Sequence, residues 1–111
     1  MPEPRLATGI WVSAYLARLG LANIPAYVTA RGDETAGAVL VKCAHLDGTA
    51  ALYGREWDLD TDSRPWQVLA QGTEPEVEGA IARQRGFDPD LWVIEVEDRD
   101  GRTLLDEPGL A

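Results

Sequence analysis

The sequence predicts one α+β domain spanning residues 1–111: a mainly antiparallel sheet of about five strands, with two helices packed on one face. Two segments carry apolar residues at helical spacing, and the extended runs between them are joined by short turns rich in Gly, Asp and Pro. No helical crossover separates those early runs, so antiparallel pairing is the economical arrangement. At 111 residues, the chain can bury on the order of two thirds of its unfolded surface around one core.

The first helix is read over residues 8 to about 21, where Val12, Tyr15, Leu16 and Leu19 form a stripe beside Trp11, Ala14 and Arg18. Gly20 or Asn23 supplies a left-handed ending, and Pro25, lacking a backbone donor, forbids continuation. Residues 26–31 read as a strand, 32–35 as a polar turn, and 37–46 as a second strand. Asp47-Gly48 suits a type I′ hairpin turn, which makes residues 49 to about 57 the return strand. The polar run 58–65 ends in Pro65 and reads as an exposed loop before a strand over 66–70.

The second helix has a capping-box pattern in Thr73 and Glu76. Glu74 and Glu76 suit its positive end, Arg83 and Arg85 its negative end, and Val77, Ala80 and Ile81 form its apolar stripe. It is expected to end at Gly86, with Phe87 making the hydrophobic contact of a Schellman cap and Asp88-Pro89 blocking extension. A last strand starts at Leu91. Its alternation puts Trp92, Ile94 and Val96 on a buried face toward Val77, Ala80 and Ile81, with Val93, Glu95 and Glu97 on a wet one. Asp100-Gly101 is then a second hairpin turn that sends residues 102–105 back along that strand.

Nineteen acidic residues against ten basic ones give a formal charge of −9, which repels phosphate backbones and anionic lipid surfaces. Nucleic acid and membranes are therefore not expected partners, and no window approaches the ~20 apolar residues of a membrane span. The first residues, Met1-Pro2-Glu3-Pro4-Arg5, lack the basic region and long apolar run of a secretion signal. Cys43 is the single cysteine, so no disulfide forms within the chain, and a cytoplasmic location is expected.

Few residues offer chemistry. Arg31-Gly32-Asp33-Glu34-Thr35-Ala36-Gly37 gathers an arginine, two acids and two glycines in one connection, as a ligand loop does and as an ordinary turn also does. Cys43 and His45 share a strand face, but same-face neighbours sit roughly 6.5–7 Å apart, too far for a rigid thiolate–imidazole dyad. Asp58-x-Asp60-x-Asp62 resembles the start of an EF-hand loop, yet Ser63, Pro65 and Leu69 break the remainder of that pattern, so no metal site is assigned. No phosphate-binding glycine loop, zinc motif or nucleophile elbow is present, and no cofactor is expected. Four tryptophans, Trp11, Trp57, Trp66 and Trp92, either fill the core or line an aromatic surface.

The segments Gly9-Ile-Trp-Val-Ser-Ala-Tyr-Leu16, Arg31-Gly-Asp-x-x-Ala-Gly-Ala-Val-Leu-Val41, Leu46-Asp-Gly48 and Trp66 together resemble an alphaproteobacterial family, domain of unknown function 1491. The resemblance covers nearly the whole chain. It implies a small bacterial cytoplasmic protein and carries no activity, cofactor or catalytic residue.

The leading functional expectation is a non-enzymatic protein-interaction module, with surplus aromatic residues and a negative charge that steers a basic partner. The alternative is a small polar-ligand site or enzyme around Arg31, Asp33 and Arg55, with Trp57 and Trp66 beside it. A concave pocket with converging charges favours the second; an exposed apolar patch favours the first.

Overall fold

Two runs of consecutive apolar residues, 39–41 and 91–94, dictate the centre of the sheet. Because neighbouring side chains on a strand point to opposite faces, such runs are stable only where both faces are covered. The computed structural model, which describes residues 6–55, 60 and 64–110, places both runs there. Its elements are α1 (Thr8–Leu21), β1 (Ala26–Ala30), β2 (Val39–Ala44), β3 (Thr49–Arg55), β4 (Trp66–Thr73), α2 (Glu74–Phe87) and β5 (Trp92–Glu97). The sheet order is β1-β5-β2-β3-β4, with β5 and β2 side by side in the middle.

The class is α+β, but the sheet is mixed rather than mainly antiparallel. After β4, α2 carries the chain back across the sheet, so β5 enters beside β2 in the same direction, with Val41 opposite Ile94. The other three pairings are antiparallel. The helices also lie on opposite faces rather than on one. Val12, Tyr15 and Leu19 of α1 pack with Val41, Cys43, Trp92, Ile94 and Val96. On the other face, Val77 and Ile81 of α2 pack with Leu40, Leu52, Leu91 and Val93.

Three side-chain assignments change with this arrangement. Trp92 faces α1, not Val77, Ala80 and Ile81; Val93 is buried beneath α2, not wet; and Phe87 is 89% exposed, making no capping contact. The expected return strand over 102–105 is also absent. Asp98 accepts hydrogen bonds from the Arg102 backbone N–H at 2.7 Å and from its guanidinium, and Leu104 takes a positive φ of 62°, so the chain coils instead of pairing. This segment covers the α1 face through buried Leu105 and Leu110. The Tyr15 hydroxyl donates to the Thr103 carbonyl at 2.7 Å.

Local signals set most element ends. Asn23 holds the left-handed conformation after α1, with φ 59°. Thr73 Oγ1 accepts from the Glu76 N–H at 3.3 Å to cap α2. The β2–β3 hairpin closes through His45 N–H to the Thr49 carbonyl at 3.0 Å. Its positive φ values fall on Leu46 and Gly48, so the turn is longer than a two-residue type I′ turn. The start of α1 has no side-chain cap; the loop carbonyls of Thr35 and Glu34 accept from the Thr8 and Gly9 N–H groups instead.

Candidate functional site

Aromatic rings gather at one end of the sheet because α1, β3 and β4 each deliver a side chain there. Trp11 stacks on Tyr15 one turn along α1, with centroids 4.9 Å apart, and lies 5.5 Å from the ring of Trp66. Antiparallel register sets Arg55, at the end of β3, opposite Trp66, at the start of β4. The Arg55 guanidinium consequently lies 4.6 Å from the Trp66 ring centroid and 5.8 Å from that of Trp11. Arg55 Nη2 and Trp66 Nε1 both donate to the Leu110 carbonyl, the latter at 3.1 Å.

Trp11, Arg55 and Trp66 line an open groove of about 1120 Å³, which also takes in Arg64, Leu40, Leu69 and Leu91 and the start of α1. Leu6 lines it and is 60% exposed. On the α2 side the groove is lined by Gln84 and Asp88, and exposed Phe87 lies next to Asp88 in the chain. The result is a trough of mixed lining, in which Leu6, Trp11, Leu40, Trp66, Leu69 and Leu91 lie among Thr8, Thr35, Arg55, Arg64, Gln84 and Asp88.

The residues singled out from sequence fall in two places. Arg55 and Trp66 meet in the groove, whereas Arg31 and Asp33 belong to the connection between β1 and β2. The Arg31 guanidinium lies 5.1 Å from the centroid of the Trp92 ring and pairs with Glu34, both largely in solvent. Asp33 is a turn residue: its carboxylate accepts from the Thr35 and Ala36 N–H groups, and its carbonyl accepts from Trp92 Nε1 at 2.8 Å. Gly32 and Gly37 let this loop lie against the 88–91 connection, since a Cβ on either would come within 2.0 and 2.6 Å of the Asp90 carbonyl oxygen. Trp57, Asp58 and Asp62 lie outside the described residues.

Cys43 is fully buried on the α1 face, where burial and the Asp98 charge push its thiol up to about 11, opposite to what a nucleophile needs. His45 Nδ1 instead sits 3.0 Å from Thr49 Oγ1 in the hairpin. Among the described residues, no three metal-ligating side chains gather, and no helix is long and apolar enough to cross a membrane. Sequence reasoning missed Trp11 and Leu6 as groove residues. Only Trp11 carried a signal, by lying beside the buried stripe of α1 rather than on it.

The family model described as protein of unknown function (DUF1491) matches residues 6–106. A crystal structure of a DUF1491 family protein from Caulobacter crescentus CB15 is 42% identical with TM-score 0.79, covering 93% of this chain and 95% of that one. An NMR structure of a DUF1491 family protein from the same organism, also 42% identical, has TM-score 0.81 and covers 96% and 97% of the two chains. The solution structure of protein Atu0922 from A. tumefaciens is 33% identical with TM-score 0.72, covering 85% and 86%. No curated protein matches the chain. The chain belongs to the DUF1491 family.

Proposed function

Starting from membership of a family described only as of unknown function, we propose that this chain is a non-enzymatic protein-interaction module whose docking surface is the groove at the sheet end. The observation that carries this reading is the exposure of large apolar side chains there, Leu6 in the groove's lining and Phe87 next in the chain to its lining residue Asp88. Exposed apolar surface of this kind is costly in water and is relieved when a partner covers it. Of the residues suggested for a small polar ligand, Arg31 and Asp33 are engaged within their own loop and do not line the groove, whereas Arg55 and Trp66 line it together with Arg64. A protein, rather than nucleic acid or lipid, is the partner suited to a groove of mixed lining in a chain of charge −9. The lone buried thiol suits a reducing compartment, so the cytoplasm is the proposed setting.

Affinity capture from a native lysate at physiological salt tests this with Phe87→Asp, Leu6→Asp and, as a control at the far end of α1, Leu21→Asp. The reading expects one retained protein that the first two variants lose and the control keeps. Equal retention by all three, or turnover of a defined substrate by the purified protein, overturns it.

A further inference from the structure

The two helices show water different surfaces. The exposed residues of α2 include Glu76, Glu78, Arg83 and Arg85, as expected of a helix with one buried side. Those of α1 are Ile10, Ser13, Ala14, Ala17, Gly20 and Leu21, and none carries a charge. Ile10 is 59% exposed and Leu21 85%, one toward each end of the helix. With Val12, Tyr15 and Leu19 buried on its inner side, α1 is apolar on both sides, which is the pattern of a helix covered on both.

The distribution of acid indicates what covers the outer side. Of nineteen acidic residues, none falls between Pro4 and Gly32, a stretch that holds α1 and β1 together with Arg5, Arg18 and Arg31. Glu34 beside Gly9 and Glu107 beside Arg18 come close to the flanks of α1, and each pairs with an arginine. Copies of charge −9 repel one another wherever their acids meet, and the outer side of α1 lets two of them touch without bringing acid against acid. A basic partner gains nothing from this side. The order of the side chains also fits a copy of itself. With two α1 helices antiparallel about a two-fold axis level with Tyr15 and Leu16, Ile10 of one falls opposite Leu21 of the other, Ala14 opposite Ala17 and Ser13 opposite Arg18. Large groups then meet toward the ends, small ones near the middle where the helices approach, and no like charges face each other.

We propose that the outer side of α1 is the contact between two copies of this chain, an antiparallel helix pair on a two-fold axis, separate from the groove. Two helices about 21 Å long bury less than the roughly 1,200 Å² of a tight interface, so the dimer is weak and forms at concentrations on the order of 100 µM. Salt strengthens it, because screening weakens the repulsion between two acidic bodies and spares the apolar contact.

The test is sedimentation equilibrium of the full chain from about 10 µM to about 1 mM, with NMR shifts followed over the same dilution. The expected result is a monomer–dimer equilibrium that tightens as salt rises, with shifts centred on α1. Ala14→Glu with Ala17→Glu sets four acids in the contact and should weaken it at least about tenfold, whereas Ala14→Glu with Ala17→Lys sets each glutamate opposite a lysine and should keep it. Both pairs place good helix formers at exposed helical positions, and an unfolding midpoint near wild type checks that the fold is intact. A chain still monomeric at the highest concentration, which leaves this side to a different protein or a lipid surface, overturns the proposal. So does a dimer that salt weakens, that the glutamate pair leaves intact, that both double variants lose, or whose shifts centre elsewhere. Leu21→Asp is expected to lose the dimer and keep a partner held in the groove, and Phe87→Asp the reverse, so the two readings fail independently.

Discussion

On the α1 face, the sheet is covered by Trp92, Tyr15, Leu19 and the coiled segment ending in Leu110, all fully or nearly fully buried. On the α2 face, a smaller apolar set shares the cover with Lys42, which is 3% exposed at the middle of β2. Its Nζ lies 2.6 Å from Glu78, 3.2 Å from Glu74 and 3.3 Å from Glu95, tying α2 to β2 and β5. One helix is held by close packing of large rings and aliphatic groups, the other by a modest core and a cationic pin. The two helices, equal in length at 14 residues, are therefore anchored by different forces and should fail under different conditions.

The largest expected effect is on the first face. Trp92→Ala removes the largest fully buried side chain and the indole hydrogen bond that anchors the 31–37 loop. Large-to-small changes at such sites cost about 3–5 kcal/mol, against a total of roughly 5–15 kcal/mol, so denaturant titration should find the variant unfolded or nearly so. A wild-type midpoint would mean that the α1 face is not the main anchor.

Lys42→Met keeps the stem and deletes the charge, leaving three partly exposed glutamates facing one another, for an expected loss of about 1–3 kcal/mol. Burial lowers the lysine pKa, but the contacts to Glu78, Glu74 and Glu95 outweigh it and raise the value above the ordinary 10.5. The folded protein therefore holds this proton more firmly than the unfolded chain. The Lys42 contribution is complete below about pH 10.5 and fades as the pH rises beyond it, so the gap between wild type and variant should narrow in alkaline denaturation series. A gap that widens there would contradict the pin.

Smaller effects sharpen the picture at the ends of α2. Thr73→Ala removes the cap on the Glu76 N–H and should cost about 1 kcal/mol in the same titration. Phe87→Ser, at an almost fully exposed ring, should change stability by no more than about 0.5 kcal/mol. A larger loss at Phe87 would mean that the ring packs in the fold and is not free surface for a partner.

The sequence was most legible where local rules act alone. The Thr73 cap, the Asn23 ending of α1 and the hairpin at residues 45–49 follow from short-range hydrogen bonding and backbone preference. Reading Trp92, Ile94 and Val96 as one face was also right, since alternation is local. Which helix covers that face is a long-range matter. The four consecutive apolar residues 91–94 held the clue: Leu91 and Val93 interrupt the wet face, which requires a helix on each side and makes β5 a central strand parallel to β2. For the candidate site, the Arg55–Trp66 pairing depends on strand register across a loop, and Trp11 joins only through tertiary packing, so neither contact was readable from spacing. Arg31 and Asp33 attracted notice through turn chemistry, and the turn uses them for its own closure.

Native-state hydrogen exchange tests the difference between the faces most directly, because it measures the opening of each element in one molecule. β2 and β5 amides are expected to exchange only through global unfolding, and α2 amides through a smaller, local opening whose free energy Lys42→Met lowers further. If α2 exchanged with the same free energy as β5 in both wild type and variant, the two faces would be one cooperative unit, and the contrast between packed and pinned helices would be wrong.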